Sequence, residues 1–339
     1  MRQRVAMKAG AALIAAIVGL SLVYYAIAPS QPNPRVSLVK SVPIPGVAGR
    51  LDHMDIDAAS QRVFLAAVQD GSLVVVRLSD GLVTRYGGYY QPHSVLFLSS
   101  IGELILTVGN GTVYFLNSNT LVTSSEIRLP SNADNIRLDP RTGFVYVGYG
   151  QGPAGGIAQI DPKSSQVVRT LTLGGHPESF QLDVSAGYLY ANVPTLGIVD
   201  GVRLQDLKVQ GNWSTGSYVD NYPMAIDPSG ARVYVATWFP STLLSYSETT
   251  GALLTHTPIV GDADDLYFVS NSNVILISGG QGSVEVVSMK GGTSSIVAEV
   301  RSASGARTSL FLQDSMELLV AAPATGTRSA SLLVFSLAI

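Results

Sequence analysis

Four histidines and a few acids carry most of the chemistry this chain could perform. His53, His93 and His176 stand in or beside short polar motifs, and so do Asp52, Asp134, Glu178, Asp264 and Asp265. An imidazole can serve as a general base near neutral pH or ligate a metal, and carboxylates add oxygen ligands or counter a cation. Position by position the motifs read Asp52-His53, Pro92-His93, Asp134-Asn135, Glu178-Ser179, Tyr222-Pro223, Asp264-Asp265 and Arg307-Thr308. Asn221 directly precedes the fifth, and His176 lies just upstream of the fourth. Four of the seven place a carboxylate first, which concentrates acids in a chain with only 13 % charged residues. His256 alone among the histidines falls outside the set.

What brings such scattered pairs together is their period. The steps between their second residues are 40, 42, 44, 44, 42 and 43. Each pair leads into an alternating apolar run. Four strand-like pieces per unit at a repeat of roughly 40–45 residues predict β-propeller blades. The expected inner strands cover 54–57, 95–98, 136–139, 180–183, 224–227, 266–269 and 309–312. Turns such as Asp139-Pro140-Arg141-Thr142-Gly143 follow them, with residues suited to a type I turn and a positive-φ position. The second strands are rich in Val, Tyr, Leu and Ile, as burial on both faces between blades demands.

Seven units supply only six fourth strands. The segment 36–44 resembles the fourth strands elsewhere, for instance 121–127, and is expected to complete the last blade and remove its open edge. The predicted fold is all-β: one seven-bladed propeller over residues 34–339, with its N-terminal strand closing the last blade. In such a ring the polar pairs meet at one mouth of the central channel. Gly155-Gly156 and Gly279-Gly280 read as turn glycines.

Composition narrows the rest. The chain has 339 residues, a net charge of −3, 46 % hydrophobic residues and 34 glycines, the balance of a strand-and-turn protein. It shows no basic excess, so a nucleic-acid partner is set aside. It has no cysteine, which excludes disulfides, cysteine-bound zinc and thiol chemistry. Residues 1–33 read as a separate segment and short linker. Arg2, Arg4 and Lys8 precede an apolar stretch over 11–28, close to the length that spans a ~30 Å hydrocarbon core at ~1.5 Å per residue. The basic flank predicts a membrane anchor with the propeller outside the cytoplasm, periplasmic or at the cell surface. A cleaved signal peptide is the alternative, because Ala26-Ile27-Ala28 has a small-x-small form. Pro29 and the length of the run favour retention.

Several segments resemble a known family. Gly49-Arg50-Leu51-Asp52-His53-Met54, Ala133-Asp134-Asn135-Ile136-Arg137, His176-Pro177-Glu178-Ser179-Phe180-Gln181, Tyr222-Pro223-Met224-Ala225-Ile226-Asp227, Gly261-Asp262-Ala263-Asp264-Asp265-Leu266 and Gly305-Ala306-Arg307-Thr308 are similar to the YncE-like extracytoplasmic propellers of the YVTN-repeat family. The signature itself is loose, since Phe144-Val145-Tyr146-Val147-Gly148 and Arg232-Val233-Tyr234-Val235-Ala236 keep only its shape. The resemblance implies an exported WD40-like seven-bladed propeller, mostly without an assigned reaction, with some relatives described as lactonase-like or surface-associated.

The expected function is a binding or scaffold module whose channel mouth takes a small polar ligand or a cation. The candidate residues are Asp52, His53, His93, Asp134, Asn135, His176, Glu178, Ser179, Asn221, Tyr222, Asp264, Asp265, Arg307 and Thr308. A metal there would draw on His53, His93, Asp264 and Asp265, although no HxH or HxxxH pair is present. One alternative is a lactonase-type hydrolase, with His53 or His93 as base and Arg307 and Asn135 stabilising an oxyanion. No GxSxG, HExxH or phosphate-loop motif supports it, so catalysis stays open. Another is a protein-interaction platform using Tyr86, Tyr89, Tyr90, Trp213, Tyr218 and Trp238. The structural alternative for the whole set is that these polar groups bond the backbone of the next blade, with Arg307 paired to Asp264 or Asp52.

Overall fold

The computed structural model describes residues 34–339. The helix expected over 11–28 lies outside them, and among the described residues no helix is long and apolar enough to cross a membrane. The strands form seven four-stranded antiparallel sheets. Each sheet is one blade, numbered here in chain order. The inner strand of every blade touches that of the next, and the seventh touches the first, so the blades close into a ring.

Packing between blades explains why the second and third strands are apolar on both faces. Tyr146 and Ile157 of blade 3 pack with Phe180, Leu189 and Ala191 of blade 4 in one buried cluster. Tyr234 and Leu243 of blade 5 meet Leu266, Ile275 and Ile277 of blade 6 in the same way. Blades 1 and 7 share a cluster through Val63, Leu65, Leu319 and Leu332. β-branched and aromatic residues suit this two-sided burial.

Ring closure follows the sequence expectation. Arg35–Ile44 pairs antiparallel with Ala330–Ala338, from Arg35 opposite Ala338 to Ile44 opposite Ala330. Val42 and Ile44 point into the cluster shared by blades 7 and 1. Thr308 Oγ1 adds a polar clasp, donating to the Leu51 carbonyl at 3.3 Å across the same junction.

The inner strands depart from expectation at their starts. Five begin earlier than the apolar pattern suggested: Leu51–Asp57, Pro92–Leu98, Ala133–Leu138, Val219–Asp227 and Ala263–Val269. The polar pairs lie inside these strands, each at a register shift. A bulge inserts an extra residue and re-aims side chains. Here it lets a polar residue turn to the channel without breaking the strand. Only Phe180–Asp183 and Ser309–Leu312 keep the motif in a preceding loop. Gly155 and Gly156 are likewise strand residues, within Ala154–Asp161, not turn residues.

At the opposite ends of the inner strands, aspartates serve the turns. Asp139 Oδ1 accepts from the Arg141 amide at 2.9 Å, and Asp183 Oδ1 accepts from Ser185 and Ala186 amides at 2.9 and 2.8 Å. These acids are spent on Asx-type turns.

Truncation along the closing strand tests its role. Ile44→Ala, at a fully buried site, is expected to cost about 2–5 kcal/mol. Leu38→Ala on the exposed face of the same strand is expected to stay within about 0.5 kcal/mol. Urea unfolding of the two variants checks the contrast.

Candidate functional site

The mouth is built from the first residues of the inner strands. Arg50, Asp52 and His53 from blade 1, Asp134 and Asn135 from blade 3, Glu178 and Ser179 before blade 4, Tyr222 from blade 5 and Asp264 from blade 6 line one cavity. It measures about 30 Å³, room for about two water molecules or one ion. Below it a larger chamber of about 270 Å³ continues the channel, lined by residues that include Asp55, Arg137, Gln181, Asp265 and Tyr267. His53 and Ser179 line both spaces.

Most charges at this mouth are paired, and several pairs cross blade boundaries. Asp52 Oδ2 accepts from Arg50 Nη2 at 2.6 Å and from His93 Nδ1 of blade 2 at 3.0 Å. His53 stands between Asp52, with Nε2 3.9 Å from Oδ1, and Asp265, with Nδ1 3.7 Å from Oδ1. Arg307 binds Asp262 at 2.7 Å and Asp264 at 3.3 Å. Its guanidinium lies 5.6 Å from the centre of the Trp238 ring, and Trp238 packs on Tyr222 at 4.3 Å.

Burial sets the electrostatics. For His53, burial disfavours the charged form, but Asp265, Asp52 and Asp264 outweigh it and push the imidazole up to about 10. His93 is also raised: burial opposes its charge, while Asp134 and Asp52 favour it. Asp52 is held below the usual carboxylate range. Burial alone would raise it, yet the His93 hydrogen bond and the charges on His53 and Arg50 prevail. Two acids go the other way. Burial and the nearby Asp134 charge push Glu178 up to about 7, and burial with the Asp52 charge pushes Asp264 to about 6.

Several sequence candidates turn out to clasp blades together. Asn135 Nδ2 donates to the Glu178 carbonyl of the next blade's loop. Asn221 is fully buried and donates to Asn192 Oδ1 at 3.1 Å and the Ile198 carbonyl at 2.9 Å. Asp265 Oδ2 accepts from the Ser309 amide at 2.7 Å, and Thr308 makes the clasp already described. Asn221 and Thr308 thus spend their donors on a neighbouring blade. Asp52, His53, Asp134, Glu178, Tyr222 and Asp264 face the cavity.

The metal set suggested by sequence is not assembled. His93 is turned to Asp52, and His53 sits between two acids without joining it. Among the described residues, the group whose donor atoms converge is Asp134, His176 and Glu178. The hydrolase constellation is not free either. Asn135 donates to a carbonyl, Arg307 is held by two acids, and His93 is bonded to Asp52.

Sequence reading passed over Arg50 and Asp262, although both fall within the repeated segments. Their signal was proximity: each lies two residues before a motif acid, Asp52 or Asp264. The proposed aromatic surface is dispersed. Tyr89 packs on Tyr114, Trp213 is stacked between Tyr190 and Tyr246, and Trp238 belongs to the mouth. Of the six, Tyr90 and Tyr86 are the exposed ones, at 58 % and 37 %.

No protein-family model matches the chain, and no curated protein matches it in sequence. Solved structures do match. A chain in the crystal structure of the Mitotic Checkpoint Complex superposes with a TM-score of 0.73 at 12 % identity, covering 91 % of this chain and 94 % of that one. Kuenenia stuttgartiensis hydrazine synthase gives 0.72 at 15 %, covering 83 % and 96 %. The WD40 β-propeller domain of Doa1 gives 0.72 at 13 %, covering 89 % and 97 %. At these identities the likeness shows the propeller fold, of the WD40-like kind, and nothing finer.

The His53 network makes stability depend on pH. Its folded value, about 10, lies above the unfolded reference of 6.5. The contribution is therefore fully present below 6.5 and is lost as pH rises through 10. The difference in unfolding free energy between wild type and His53→Gln should be largest near pH 6 and shrink towards pH 10, as followed by urea denaturation. A difference constant with pH would mean that His53 is not charged in the folded protein.

Proposed function

We propose that this protein is a binding or scaffold module whose channel mouth holds a small cation, on a propeller tethered outside a membrane by residues 11–28. One observation carries the ligand reading. Carboxylates from blades 1, 3, 4 and 6 converge on a cavity of about 30 Å³. That volume suits an ion, and it lies far below the ~300–1,000 Å³ of pockets that enclose organic ligands. It favours a cation over a larger polar ligand. It also weighs against lactone hydrolysis at this mouth, because a lactone needs space beside its base and the candidate groups are engaged with each other.

Membership of the YncE-like, YVTN-repeat family is part of the same proposal. Its support is the set of repeated segments, together with the basic and apolar N-terminal sequence. A protein partner is the second reading. It draws on one of the structural neighbours, whose printed title names a complex. The broad blade faces and the exposed Tyr86 and Tyr90 are the surfaces such a partner would meet.

Equilibrium dialysis against calcium, manganese and zinc tests the mouth. The wild-type chain is expected to retain one of these ions, and the triple variant Asp134→Asn, Glu178→Gln, Asp264→Asn to lose it by tenfold or more in affinity. Equal binding by both proteins would move the ion site away from the channel. For the tether, full-length protein is expected in the membrane fraction and accessible to added protease in intact cells. Recovery in the soluble fraction with an intact N-terminus would defeat it.

A further inference from the structure

We propose that Asp134, His176 and Glu178 together hold a divalent transition-metal ion of the zinc type. The inference rests on the cation reading of the mouth and assigns the ion to one corner of it, between blades 3 and 4. One donor atom from each residue lies within 4.8 Å of the others. An ion with bonds of about 2.0–2.2 Å would draw these atoms inward by less than about an ångström each.

His176 supplies the independent sign. The residue is only 8 % exposed, yet neither ring nitrogen has a hydrogen-bond partner. A buried polar group left unpaired is costly, and native proteins seldom leave one without a reason. Nε2 is 3.6 Å from Asp134 Oδ2. That is too long for a hydrogen bond. It is close to the separation of about 3.4 Å that two ligands of one tetrahedral zinc adopt. The Tyr149 main chain lies beside the ring. Metal-bound imidazoles commonly give their second N–H to such a carbonyl.

The acids fit the same reading. Among the described residues no Lys or Arg pairs with Asp134 or Glu178, and no hydrogen bond reaches the Glu178 carboxylate. Two acids brought together without a cation repel each other. Elsewhere at this mouth arginines neutralise the acids: Asp52 has Arg50, and Asp264 has Arg307. Asn135 Oδ1, buried and without a partner, is a further free acceptor on the cavity lining. One imidazole with two carboxylates suits zinc or manganese better than calcium or magnesium, which prefer oxygen alone.

The local backbone is shaped to keep His176 there. A Cβ on Gly155 would collide with the Gly175 carbonyl and stand 2.7 Å from His176 Cα. Glycine at 155 therefore lets the His176 loop lie directly against the third strand of blade 3.

The test uses the full-length chain, stripped with a chelator and titrated with zinc chloride by calorimetry, with metal content read by mass spectrometry. One zinc per chain is expected for wild type. His176→Gln and Glu178→Gln are each expected to weaken binding at least tenfold, while His256→Gln, at the rim, leaves it unchanged. Cobalt substituted for zinc should give visible absorption bands that change in His176→Gln. Glu178 has no protein partner to lose, so Glu178→Gln decides the matter if His176→Gln melts early. Should wild type bind zinc and both variants bind it equally well, the triad is wrong while the cation reading of the mouth survives. Binding of calcium but not zinc would likewise overturn the triad alone. If wild type binds none of these ions, both fall together.

Discussion

Each blade buries both of its broad faces, so the ring is stable only if every blade has two neighbours. The decisive junction joins blades 7 and 1. There the strand Arg35–Ile44 pairs with Ala330–Ala338 while Val42 and Ile44 enter the apolar cluster that the two blades share. Without that strand, the last sheet would expose an unpaired edge and the cluster would open to water. Everything at the channel mouth depends on this closure. Asp52 and His53 are at the start of the ring and Arg307 near its end, yet Arg307 and His53 both approach Asp264.

A closed ring forces the inner strands to face each other, and that imposes a rule on what they carry. Their outer neighbours are apolar, so polar side chains near the axis must satisfy one another. Asn135, Asn221, Asp265 and Thr308 do so by bonding a neighbouring blade, which makes the polar ring a set of clasps as much as a site. Charged groups follow the same rule with larger stakes, since an unpaired buried charge is strongly destabilising. Asp52 draws in both Arg50 and His93, and Arg307 bridges Asp262 and Asp264.

Against these arginine-paired acids, blades 3 and 4 stand out. Asp134, His176 and Glu178 are brought together without hydrogen bonds among them, and the two His176 nitrogens have no partner. A bulge aims Asp134, and the loop before Phe180–Asp183 supplies His176 and Glu178. A bulge turns a side chain to the channel while the strand continues. The frame keeps its ladder, and the mouth gains directed polar groups.

Much of the architecture was legible from the chain alone. The 40–44-residue steps, the apolar second strands and the likeness of 36–44 to other fourth strands each reflect local requirements, namely alternation, turn chemistry and burial. Those requirements are written residue by residue, so seven blades and the closing strand could be read directly. The motif residues were found by the same period. Their partners were not. That Asp52 draws Arg50 and His93 together, that Asn221 reaches back to blade 4, that His53 and His93 separate, and that His176 joins Asp134 and Glu178 are consequences of side-chain direction at the bulges and loops and of which blades pack together. Period and composition fix the blade to which a residue belongs, whereas pairing around a channel is a property of the assembled blades, because only their packing brings residues of different repeats within bonding distance.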